Sequence, residues 1–154
     1  MMIRAAIAPA LILLAACAPL TIERDLDGRN ALNRWPGIIT IDPAAPDRAA
    51  VWAQEAYEVE RKGNPAGLAL VRLDTSHRRD MELTSHEVET QAAVRVYGRD
   101  EAAYRAKEAR SLHGGYDGIF AGSTPARIEA AMRDRIPEAR AWVENHLDQI
   151  EAQR

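Results

Sequence analysis

Between Ser76 and Tyr97 the chain repeats its apolar and polar positions with a helical period. Met81, Val88, Ala92 and Val96 form one apolar stripe. Glu82, His86 and Glu89, at i, i+4 and i+7 with Ala93 continuing the line, form the stripe beside it. The pattern predicts the longest helix of the protein. It also places groups able to bind a metal or move a proton at the edge of a core.

The flanking stretches read as shorter helices. Asp47 is placed to cap a helix from about Arg48 to Lys62, with Val51, Trp52, Ala56 and Val59 on its apolar face and Gly63 after its end. Gln54, Glu55 and Glu58 lie on or beside another face. Gly98 stops the central helix, and Asp100 starts one that runs to about Leu112 and closes at Gly114-Gly115. Thr124-Pro125 opens a further helix, with proline at its favoured first position. It meets a kink or break at Pro137 and resumes to about Glu151. Ile38–Ile41 is a β-branched run that predicts one strand, for which Leu68–Leu73 is the candidate partner. That second run reads equally as a short helix after Asn64-Pro65. The fold class expected is mostly α: a compact bundle of four or five helices with at most one short two-stranded β element.

Composition adds a compartment. The chain opens with Arg4, an apolar run from Ala5 to Ala16, and then Cys17. That run is too short to span a bilayer comfortably and has the proportions of a signal-peptide core. Leu14-Ala15-Ala16-Cys17 resembles the lipobox of bacterial lipoproteins. The resemblance implies cleavage before Cys17, a diacylglycerol on its sulfur and a fatty acyl chain on its new amine. Each buried methylene of such chains contributes about 0.8 kcal/mol to membrane anchoring. Cys17 is the sole cysteine, and an unpaired thiol on a secreted chain calls for an explanation of this kind. A plain secretory signal with an incidental cysteine is the alternative. Ala18 rather than aspartate follows the cysteine, so the resemblance implies the outer membrane, facing the periplasm. The expected organisation is a signal peptide over residues 1–16, a lipidated tether over 17–44 and a helical domain over 45–154.

The formal charge is −3, with both signs interspersed, which gives no reason to expect nucleic acid as a partner. With no second cysteine there is no disulfide framework, so the fold rests on packing. One Phe, three Trp and four Tyr leave that packing to Ala, Val and Leu, which suits closely approaching helices.

Trp52-Ala53-Gln54-Glu55-Ala56-Tyr57-Glu58 loosely resembles the first helix of small gluzincin-type metallopeptidases, which carry H-E-x-x-H there and a glutamate ligand on a later helix. The resemblance implies Glu55 as general base. Gln54 and Glu58 stand where the two zinc-binding histidines belong, and the later ligand maps to Glu82, Glu87 or Glu89. A metal set of Glu58, His86 and Glu89, with Glu82 beside it, is rich in oxygen and holds a single nitrogen. That suits manganese or iron better than zinc.

The competing expectation is simpler. Acidic residues near Arg78, Arg79 and Arg95 on one helix read as a solvated face laced with weak pairs, each worth about 0.3–0.5 kcal/mol. His86 then reads as a surface or interface histidine, and no cofactor is expected. On that balance the residues lead to a lipid-anchored envelope protein in a structural or interaction role. It would touch the membrane through Cys17 and an envelope protein through its helical domain. The alternative is a metal-dependent hydrolase, which requires Glu55, Glu58, His86 and one of Glu82 or Glu89 to converge.

Overall fold

The computed structural model describes residues 19–34, 37–116 and 118–154. Cys17 and the signal segment lie outside the described residues. Among those described, the order is β1 (Leu20–Glu23), β2 (Ala31–Arg34), β3 (Ile38–Ile41), α1 (Arg48–Arg61), α2 (Pro65–Leu73), α3 (Thr75–Tyr97), α4 (Glu101–Gly115), α5 (Pro125–Arg133), α6 (Ile136–Asn145) and α7 (Leu147–Glu151). The protein is mostly helical, with a small three-stranded sheet.

That sheet differs from the two-stranded element expected, and much of the expected tether folds into it. β3 is the middle strand, parallel to β1 and antiparallel to β2. Its alternation explains the pairing: Ile39 and Ile41 are fully buried against the helices, while Ile38 and Thr40 are not. Asp27-Gly28, with φ of 52° and 87°, turns the chain between β1 and β2. Only backbone that reaches the left-handed region makes that turn, which is why glycine follows aspartate there. β1 is held to the helices by Trp52, whose indole nitrogen donates to Thr21 Oγ1 at 2.8 Å. Leu68–Leu73, the proposed partner strand, is instead part of α2. Asn64 accepts from the Gly67 backbone at 2.8 Å and Pro65 pre-sets the first turn, so local capping chose helix over strand.

The central helix matches its pattern closely. Asp74 caps it by accepting from the Ser76 and His77 backbones, and Gly98, at φ 65°, ends it in the left-handed conformation. α3 is buried on almost every side from Met81 to Ala93. α1 lies against it, and small residues such as Ala53, Ala56, Ala92 and Ala93 let the two backbones approach. A second apolar cluster, with Leu112, Ile128 and Met132 fully buried, joins α4 and α5. Asp47 occupies the N-cap position of α1 but does not cap it with its side chain. Its carboxylate instead holds Arg99, just past the end of α3. Pro137 falls in the first turn of α6, so the expected break lies at Asp134-Arg135.

Candidate metal centre

The burial of α3 changes the meaning of its polar stripe. Glu82, His86 and Glu89 are each only 4–5% exposed, so the solvated charged face expected of this helix is not there. Glu87 is buried as well, and of the acids on this helix that lie near arginines Asp80 remains exposed. His86 is a core histidine, enclosed by α1 and α4. Sequence periodicity finds stripes but cannot say which of them a third helix covers.

From α1, Glu58 reaches the same interior. It accepts from Ser85 Oγ at 3.2 Å, from Lys62 Nζ at 2.7 Å and from Asn33 Nδ2 at 3.0 Å. Both of its oxygens are thus engaged. Burial alone would raise its carboxyl, but Lys62 and Asn33 hold it below the usual range. Asn33 also donates to Glu55. Glu55 is partly exposed, and burial followed by the charge of Glu58 pushes its carboxyl up to about 8.

α4 supplies what the sequence reading missed. Glu108 Oε2 lies 2.8 Å from His86 Nδ1, and Tyr104 donates to Glu89 Oε1 at 2.9 Å. Lys107 Nζ approaches Glu108 Oε1 at 3.0 Å. One ligand atom each from His86, Glu89 and Glu108 falls within 4.8 Å of the others, so these three buried residues can hold a metal ion. Glu108 thereby stands in the place given to Glu58 beforehand. The i, i+4 spacing of Tyr104 and Glu108 on one helix was the available signal, and it is a weak one.

Glu82, one turn before His86, is hydrogen-bonded by Tyr116, and its Oε2 is buried without a hydrogen-bond partner. The half-exposed Arg78 comes no nearer to its other oxygen than 3.9 Å. Burial and the charge of Glu58 push the Glu82 carboxyl up to about 7, and burial and Glu108 do the same for Glu89. For His86, burial would depress the imidazole, yet the Glu108 hydrogen bond and the surrounding carboxylates raise it to about 9. Tyr116 stands edge-on to the His86 ring at 6.0 Å between centroids.

The charge balance is what gives the cluster a chemistry. Five carboxylates (Glu55, Glu58, Glu82, Glu89 and Glu108) face Lys62, Lys107 and the His86 ring. With the ring protonated and Arg78, 3.9 Å from Glu82, counted beside them, full ionisation leaves one negative charge uncompensated, which a bound cation would relieve. Carboxylate oxygens with one imidazole suit a hard or borderline ion such as manganese or iron. Among the described residues, no arginine pairs with His86, Glu89 or Glu108. Arg105, the buried one, points to the fully buried Glu87, donating twice at 2.7 Å, and to Glu101 at 2.6 Å. Glu87, a candidate later ligand by the metallopeptidase resemblance, therefore serves as a structural ion pair.

Comparison with family models, with curated proteins and with solved structures finds no match for this chain.

Proposed function

We propose that this chain is a divalent-metal-binding protein of the cell envelope, anchored through lipid on Cys17, whose helical domain carries out metal-assisted hydrolysis. The observation that supports it is the convergence of His86, Glu89 and Glu108 in the interior, beside a Glu82 oxygen that has no partner. Burying ionised groups is costly, and apolar residues of similar volume commonly stabilise a core more. That cost supports reading the cluster as a site over reading it as a packing solution.

A bound divalent ion would polarise an acyl or similar group and lower the pKa of water. Glu55 is the proton-handling residue. It sits at the partly exposed edge, oriented by Asn33, and its carboxyl at about 8 lets it hold and release a proton near neutral pH. Burial, and after it the charge of Glu58, keeps Glu55 there.

One feature favours a second reading, in which the domain only docks an envelope protein. Leu70 and Leu73 of α2 are 51% and 86% exposed on successive turns of one face.

Metal content separates the two. The full chain, purified in detergent without chelator, is expected to carry about one equivalent of divalent metal, lost in His86→Ala. Hydrolysis of model peptides and esters is expected to need that metal and to fall at least about a hundredfold in Glu55→Gln, the scale of general acid–base catalysis. Wild-type protein without metal overturns the proposal. Metal without Glu55-dependent hydrolysis removes the catalytic part and favours docking.

A further inference from the structure

Gln54 is buried on α1 and touches one group of the metal centre. Its amide nitrogen stands 3.3 Å from Nε2 of His86. The other ring nitrogen, Nδ1, faces the carboxylate of Glu108, one of the proposed ligands, at 2.8 Å. A half-turn of the amide exchanges its nitrogen and oxygen, so Gln54 can donate to a bare Nε2 or accept from a protonated one. The two options are unequal once a metal takes Nδ1. A neutral imidazole carries a single proton, and coordination through Nδ1 leaves that proton on Nε2. The Nε2–H then needs an acceptor, because a buried donor left without one is destabilising. Gln54 is the side chain in place to accept it.

We infer that Gln54 is a positioning residue for the metal centre: its amide oxygen holds the Nε2 proton of His86, fixing the tautomer that presents Nδ1 to Glu89 and Glu108. The consequence rests on the metal-binding reading above, whereas the contact itself does not. Metal-ligating histidines commonly give their second N–H to an oxygen acceptor, and loss of that acceptor typically weakens binding about 10- to 100-fold. An amide suits this interior better than a carboxylate, since the cluster already carries surplus negative charge. In the peptidase resemblance position 54 would ligate directly; here it acts through the ring of His86.

The test uses the full chain in detergent, with histidine nitrogens labelled for NMR, Zn²⁺ as diamagnetic probe and Mn²⁺ for calorimetry. The expected result is a zinc-loaded His86 with metal on Nδ1 and its proton on Nε2. Gln54→Leu should weaken Mn²⁺ binding about 10- to 100-fold. Gln54→Glu, which keeps an acceptor, should retain the ring pattern and stay within a few-fold of wild type. Metal on Nε2, or unaltered Mn²⁺ affinity in Gln54→Leu, overturns the inference. Should Gln54→Leu fail to fold, the ring patterns of wild type and Gln54→Glu still decide it. Should wild type take up no metal, the metal-binding reading fails on its own account. The unloaded ring then decides the contact, and an unshifted Nε2 signal in Gln54→Leu overturns it.

Discussion

Nδ1 of His86 stands 2.8 Å from Oε2 of Glu108, joining α3 to α4 through two side chains that are both about 95% buried. Neither group is comfortable alone in such a place. Together they hold a proton between them in the metal-free protein, and a cation can replace that proton. Glu108→Gln keeps the shape and removes the charge. It should return the His86 ring toward the lower pKa that burial favours, and weaken Mn²⁺ binding by at least about tenfold, or 1.4 kcal/mol. Calorimetry measures the affinity and NMR the ring titration. Wild-type affinity in Glu108→Gln would remove Glu108 from the ligand set.

The metal-free protein should lose stability as pH rises. Glu55, raised from 4.5 to about 8, and Glu82 and Glu89, raised to about 7, bind protons in the folded chain that the unfolded chain has released. Their stabilisation is complete below 4.5 and is lost as pH climbs through those values. His86, raised from 6.5 to about 9, acts in the same sense and is lost last. Glu58 and Glu108, held below 4.5, act oppositely: their contribution is present above 4.5 and is lost in acid. The melting temperature of chelator-treated protein should therefore be highest near about pH 5–6 and fall toward pH 9. A flat or rising profile over that range contradicts the charge assignment.

Metal should reverse much of that loss. A ligand that binds only the folded state at a hundred times its Kd adds about 2.7 kcal/mol. Excess Mn²⁺ should accordingly raise the melting temperature more at pH 8 than at pH 5, because protons compete for the same oxygens. Scanning calorimetry at both pH values measures this, and an equal shift at both would place the ion elsewhere.

Glu87 and Arg105 form the buried pair that braces α3 against α4 away from the metal centre. Removing one partner leaves a charge in the core, so Arg105→Ala should cost about 3–5 kcal/mol in urea unfolding. Replacing both, as in Glu87→Leu with Arg105→Met, should recover most of that loss. Metal content in the double variant should match wild type; its loss would tie this pair to the site.

The Thr21 hydroxyl accepts from the indole of Trp52, which is 2% exposed, and this links β1 to α1. Thr21→Val keeps the shape and leaves the indole N–H unpaired. A destabilisation of about 1–3 kcal/mol in urea is expected. No measurable change would mean that β1 is a tether after all.

Much of the helical layout was legible beforehand for local reasons. Gly98, Asp100 and Thr124-Pro125 act within one turn of the residues they cap or stop, so the sequence carries their effect directly. Where two local signals competed, it did not: Leu68–Leu73 reads as strand or helix until the Asn64 cap is seen. Residues 20–34 gave no periodic signal, because two short edge strands draw their order from β3 and from Trp52 rather than from themselves.

Residue spacing alone puts Glu82, His86 and Glu89 on one stripe of one helix, and Glu55 and Glu58 one turn apart on another. Helical geometry is a property of the backbone and needs no neighbour. It takes the packed helices to show that α1 and α4 bury that stripe, that Glu108 and not Glu87 meets His86, and that Lys62 pairs with Glu58. Desolvation and charge pairing depend on what lies across a helix–helix interface, and residues tens of positions apart in the chain decide that.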